Sequence, residues 1–366
     1  MRQFRRPAAA ALLAAATVLP AAAQEPPVLY VFNWSDYIAP DTIAKFEAET
    51  GIRVTYDVFD SNEVLEARLM AGASGFDLVV PTADFMERQI AAGVYRPLDK
   101  SLLPNLGNMD PALMDLAAAH DPDNAHSVIY LWGTTGIGIN VEKVVERLGE
   151  DADLDTWSLV FDPETIAKLA DCGVTFLDAP TEMIPAALAW LGMDPRSTDP
   201  ADFDRAGEVL SAVRQHVRYY HSSQYINDLA SGDICVAVGW SGDVFQARDR
   251  AAEAGNEVVV DYLIPAEGAH MWFDMLAIPT DARHPENAHK FIDFLMRPDI
   301  AAEIVDYVVF ATANAAAMDL IDEAVVNDPA VFPDEATKAN LWPSIVYGAR
   351  EDRALNRVWT QVKTGR

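Results

Sequence analysis

Three short segments set tryptophan beside aspartate at or near the end of an apolar run. They are Asn33-Trp34-Ser35-Asp36-Tyr37, Gly239-Trp240-Ser241-Gly242-Asp243 and Met271-Trp272-Phe273-Asp274-Met275. An indole offers a flat, apolar, electron-rich face, and an ionised carboxylate offers a charged acceptor. An alkyl diammonium ion needs both at once: oxygen acceptors and aromatic faces for its ammonium groups, apolar walls for its methylenes. At 4 Å and an effective dielectric near 20, one ion pair is worth about 4 kcal/mol before desolvation. Four methylenes at about 0.8 kcal/mol each add roughly 3 kcal/mol. Neither contribution alone covers the entropy cost of tight binding. A sugar site would also stack on tryptophan, but would recruit mixed Asn, Arg and Asp groups. An anion site would want Lys or Arg near the helix starts, and those starts lack them. Taken singly, each tryptophan could equally be a core residue, and Asp243 could be a helix cap or first-turn acid. Recurrence three times favours a shared site.

The elements that must position these segments alternate between strand and helix. Strand patterns at 28–32, 52–59 and 76–81 are interleaved with helical patterns at 40–50, 62–71 and 84–92, and Gly51 and Gly93 end two of the helices. Such a series predicts a largely parallel sheet covered by helices, with ligands beyond the carboxyl ends of strands. Two further strands, 128–132 and 137–141, lead into a second series: helices at 163–171, 181–191, 202–216 and 223–231, strands at 174–177, 219–221 and 234–239. The repetition predicts two lobes. Short strand-like crossings are expected at 134–138 and 256–262, and irregular surface structure at 98–124.

The N-terminus reads as a secretory leader: Arg2, Arg5 and Arg6, an apolar run at 8–19, then Pro20-Ala21-Ala22-Ala23. The alternative is a membrane anchor or a buried helix, but a run of about twelve residues falls short of the roughly twenty that span a bilayer. Cleavage before Gln24 leaves 343 residues, enough for two lobes, in which 24 basic residues face 56 acidic ones. That balance repels nucleic acid and concentrates cations. Seven histidines show no ligand spacing, and Asp121-Pro122-Asp123-Asn124 is too short for a calcium loop, so neither metal nor cofactor is expected. Cys172 and Cys235 allow either one disulfide or two separate buried thiols.

With these residues in view, the chain resembles the bacterial periplasmic polyamine-binding proteins, receptors of ATP-driven importers, and above all their putrescine branch. The likeness runs from Val28 to the C-terminus. It is carried by Leu29-Tyr30-Val31-Phe32-Asn33-Trp34-Ser35-Asp36-Tyr37-Ile38, Gly75-Phe76-Asp77-Leu78-Val79-Val80-Pro81, Trp132-Gly133-Thr134-Thr135-Gly136-Ile137, Tyr225-Ile226-Asn227-Asp228-Leu229-Ala230 and Val238-Gly239-Trp240-Ser241-Gly242-Asp243. The resemblance implies a two-lobed α/β periplasmic-binding-protein fold of type II with the ligand cleft between the lobes. The first lobe is expected over 24–134 plus 258–302, the second over 135–257 plus 303–366 with the C-terminal helices.

Carried over position by position, the implied ligand set is Trp34, Ser35, Asp36, Tyr37, Thr82, Glu182, Trp240, Asp243, Trp272, Asp274 and Phe310. Thr82 stands where the family commonly has serine, Trp272 where the putrescine branch has phenylalanine, and Phe310 where tyrosine is frequent. The resemblance also implies a Cys172–Cys235 disulfide, and a periplasmic monomer that hands putrescine to a membrane permease. A spermidine-preferring receptor and a polyamine-sensing subunit share the same site. A secreted hydrolase would need two carboxylates about 5–9 Å apart, and no catalytic motif accompanies the acids.

Overall fold

The computed structural model describes residues 25–255 and 257–366, so the leader expected at 1–23 and the start at Gln24 lie outside the described residues. Ten strands form one sheet: β1 (Val28–Trp34), β2 (Arg53–Phe59), β3 (Leu78–Val79), β4 (Ser127–Asn140), β5 (Val174–Phe176), β6 (Val217–Tyr220), β7 (Val236–Trp240), β8 (Val260–Leu263), β9 (His270–Ala277) and β10 (Trp342–Pro343). Their order is β2-β1-β3-β9-β4-β7-β5-β6, with β10 added to β9 and β8 to β4.

The alternating strand–helix reading holds at both ends of the sheet. β1 pairs β2 and β3 in parallel, and β5 pairs β6 and β7 in parallel. The centre corrects it: β9 runs antiparallel to β3 and β4, and β4 runs antiparallel to β7 and β8. Local alternation sets which neighbours a βαβ unit brings together, but β9 arrives from far along the chain and inserts in the opposite direction.

The strands expected at 128–132 and 137–141 are one 14-residue strand, buried along its whole length. The intervening Gly133-Thr134-Thr135-Gly136 looks like a break, yet the glycine serves close approach. A Cβ on Gly133 would lie 2.9 Å from the Trp272 ring. β4 pairs β9 through its first half and β7 through its second; Thr135 sits at the change-over, opposite His270 on one edge and Trp240 on the other. The crossing expected at 134–138 therefore lies inside a regular strand. The other, at 256–262, includes Asn256, outside the described residues, and leads into β8.

Helix boundaries follow their caps. Gly51, at φ +71°, ends the helix Thr42–Thr50, and the Ser61 side chain accepts from Val64 N to start Asn62–Met70. The 98–124 segment is more ordered than expected, with 3₁₀ turns and the helix Pro111–Ala117 capped by Asp110. Cys172 and Cys235 form a disulfide with Cα atoms 5.5 Å apart. Cys235 directly precedes β7 and Cys172 lies two residues before β5, and these strands are parallel neighbours with Val174 and Val236 in register. The C-terminal helix Ala349–Thr364 is fastened to the same half through Trp359 Nε1, which donates to Asp178 at 2.8 Å.

Candidate functional site

Trp34 is the last residue of β1 and Trp240 the last of β7, where each leaves the sheet and turns its indole outward. The two rings meet edge to face, 5.7 Å between centroids. Trp34 is fixed by donation from Nε1 to Val80 O at 3.0 Å. Trp272 lies within β9, its Nε1 donating to Thr135 Oγ1 at 3.2 Å and its ring tilted against Phe310 at 5.5 Å. Tyr37 stands edge-on to Phe310 at 5.0 Å. These rings enclose a cavity with an empty volume of about 540 Å³, part of it open at the mouth.

Two carboxylates are built into that aromatic wall. Asp274, on β9, accepts from Thr82 Oγ1 at 2.8 Å and from Tyr37 OH at 2.9 Å. Thr82 is itself oriented by Asn62 Nδ2, which donates to its Oγ1 at 2.8 Å. Asp243 accepts from Tyr225 OH at 2.7 Å. It does occupy the first turn of the helix Ser241–Glu253, but no side chain caps that helix; the carboxylate faces the cavity instead. Burial pushes both acids up, from 3.8 to about 7 in each case. Both are thus held well above the ordinary carboxylate range.

Glu182, on the helix Pro180–Trp190, is the third buried acid of the cavity; Asp60, half-buried, also lines it. Burial would raise its pKa, but the charge and hydrogen bond of His270, with the Thr135 hydroxyl and Trp240, hold it below the ordinary value. Ser35 also lines the cavity, its Oγ donating to Phe59 O at 3.3 Å. Thus Trp34, Ser35, Tyr37, Thr82, Glu182, Trp240, Asp243, Trp272, Asp274 and Phe310 converge on one space.

Asp36 does not join them. Its backbone is left-handed, at φ +54°, which turns the side chain away to Arg250, 2.8 Å from Nη2. Its carbonyl accepts from Gln246 Nε2 at 3.1 Å. Asp36 and Asp274 therefore do not form the paired acids a hydrolase would need.

Sequence reasoning passed over several contributors. Phe59, Asp60, Asn62, Ser222, Ser223 and Ile226 also line the cavity. Ser222 Oγ is buried with no partner among the described residues. Tyr225 lay in view as part of an identifying stretch, but nothing in its spacing tied its hydroxyl to Asp243. Among the described residues no group of three or more His, Cys, Asp or Glu is arranged to hold a metal, and no helix is long and apolar enough to cross a membrane.

The sequence that builds this cavity matches the family model of the bacterial extracellular solute-binding proteins over residues 41–333. The chain belongs to that family. It is 53% identical over 345 residues to the putrescine-binding periplasmic protein PotF of Escherichia coli, covering 94% of this chain and 93% of the relative. It is equally 53% identical, over 346 residues, to the putrescine-binding periplasmic protein SpuD of Pseudomonas aeruginosa, covering 94% of each. Among solved structures, the spermidine/putrescine ABC transporter substrate-binding protein PotD of Streptococcus pneumoniae superposes with a TM-score of 0.73 at 26% identity, over 92% of this chain and 98% of that one. The fold is the two-lobed one of these periplasmic binding proteins.

Proposed function

We propose that the chain is a periplasmic receptor for putrescine that delivers its cargo, as a monomer, to the permease of an ABC-type importer. The observation that carries the ligand class is the pair of buried acids, Asp243 and Asp274, each held by a tyrosine hydroxyl inside a wall of indole and phenyl rings. Two anionic ends within an apolar, aromatic space match a diammonium joined by methylenes. The kinship with putrescine-binding proteins at 53% identity points the same way.

With lobes divided as 24–134 plus 258–302 and 135–257 plus 303–366, Tyr37, Thr82 and Asp274 come from the first lobe. Glu182, Trp240, Asp243 and Phe310 come from the second. A ligand touching both sets binds the closed form better than the open one and shifts the population toward closure. The Asp36–Arg250 ion pair spans the same division at the rim, so Asp36 supports closure rather than contacting the ligand.

Calorimetric titration with putrescine, cadaverine, spermidine and spermine, paired with small-angle scattering, tests the proposal. Putrescine is expected to bind tightest and to reduce the radius of gyration. Absence of heat with all four polyamines would refute the ligand class, and binding without compaction would refute the closure.

A further inference from the structure

The Glu182 carboxylate faces two ways. One side lines the cavity with Asp243 and Asp274. On the other, Oε2 accepts from Thr135 Oγ1 at 2.8 Å and lies 2.8 Å from His270 Nδ1. The second ring nitrogen of His270 lies 2.7 Å from Ser344 Oγ. His270 is only 7% exposed. Both ring nitrogens are thus engaged, one by a carboxylate, the arrangement that suits an imidazolium.

The charged and titratable groups around the ring come from every element packed on it. Glu182 projects from the helix Pro180–Trp190 and Asp84 from the helix Ala83–Ala91. Arg196 and Tyr347 line a small cavity behind the ring together with Asp84, and Asp274 lies farther along the same strand. Burial alone would lower the His270 pKa, but the charge and hydrogen bond of Glu182, with the Asp84 charge added, hold it above the ordinary value.

We infer that His270 is a specificity-determining residue of the cleft: its imidazolium, paired with Glu182, cancels one of the three buried carboxylates that line the site, the half-buried Asp60 aside, and tunes the receptor to a dication over a trication. This rests on the polyamine reading above. Asp243 and Asp274 are left to neutralise two ammonium groups. A third ammonium near Glu182 meets a carboxylate already engaged by the imidazolium, and must displace the imidazolium proton before it gains that counter-ion in full. Burying a third charge without one is unfavourable.

The test is His270→Gln, which keeps a donor for Glu182 and removes the charge. Titration calorimetry with putrescine and spermidine, each in two buffers of different ionisation enthalpy, reads affinity and proton release together. The spermidine-to-putrescine affinity ratio is expected to rise at least tenfold in H270Q; a full unit charge at contact distance and an effective dielectric near 20 sets a ceiling of about a thousandfold before desolvation is subtracted. Proton release on spermidine binding should exceed that on putrescine binding in the wild type, and the excess should vanish in H270Q. Protons leaving Asp243 and Asp274 are common to both ligands and cancel in this comparison.

A second measurement needs no variant. In the wild type the ratio should climb as the pH rises beyond the ordinary histidine range, where His270 loses its proton and uncovers Glu182. An unchanged ratio in H270Q, or a wild-type ratio independent of pH, would overturn the inference while leaving the polyamine reading intact. Wild-type protein that bound neither polyamine would overturn both.

Discussion

Asp274→Asn separates the cost of building the cavity from its use. The carboxylate is 4% exposed, accepts two hydroxyl hydrogen bonds, and is pushed by burial from 3.8 to about 7. A raised carboxylate pKa means that, between those values, the folded protein holds a proton the unfolded chain has released. Stability is therefore lost as pH rises from about 4 to about 7, and by pH 8 the penalty approaches about 4 kcal/mol. Asparagine removes the charge but must turn its amide toward one of the two hydroxyls, which costs about 1 kcal/mol. The ligand-free variant should thus be more stable than wild type by about 3 kcal/mol at pH 8, close to it at pH 5, and less stable by about 1 kcal/mol only below about pH 4. Binding moves the other way. Losing the partner of a desolvated ammonium should cost about 3 kcal/mol, a drop of roughly a hundredfold in putrescine affinity. Thermal melts at pH 5 and 8 without ligand, with titration calorimetry at pH 8, read both effects. An Asp274→Asn protein that bound putrescine normally, or lost more stability at pH 8 than at pH 5, would refute the reasoning.

Putrescine affinity should rise from pH 6 to pH 8 by about tenfold for each of Asp243 and Asp274, because below pH 7 binding must first expel their protons. Calorimetry across that range checks it, and a flat or falling profile would contradict it. Trp240→Ala should weaken binding about tenfold or more by removing one wall, while the melting temperature without ligand stays within a few degrees of wild type, since Trp240 is only half-buried. Normal affinity in a destabilised protein would make Trp240 a core residue. Replacing both Cys172 and Cys235 with serine frees a 63-residue loop in the unfolded chain and should cost about 2–4 kcal/mol in denaturant unfolding. An unchanged midpoint would show that the cross-link contributes nothing.

The aromatic–acid segments were legible because their chemistry is local. Trp34, Trp240 and Trp272 each sit within two or three residues of an acid, and all three indoles reach one cavity. Helix starts and stops were legible for the same reason: Ser61 and Gly51 act on backbone within a turn. What sequence could not supply was contact across the sheet. The antiparallel insertion of β9 beside β4 joins segments more than a hundred residues apart, and with it comes the Trp272 bond to Thr135. Asp36 was misplaced because a motif gives order and not backbone hand; one residue at φ +54° sent its carboxylate out to Arg250. Tyr225 and His270 were missed because nothing near them in the chain announces the acids they bond.

The strand β4 carries a consequence for how domain motion would be detected in this protein. Its residue at the change-over, Thr135, is paired on both edges, and the strand is buried from end to end. A pivot built this way turns by small, shared changes in strand twist while its ladder stays closed. Its amides should then be among the slowest in the molecule to exchange with deuterated solvent, in the open and closed forms alike. Under the closure proposed above, the pivot would then be missing from any map of fast-exchanging segments.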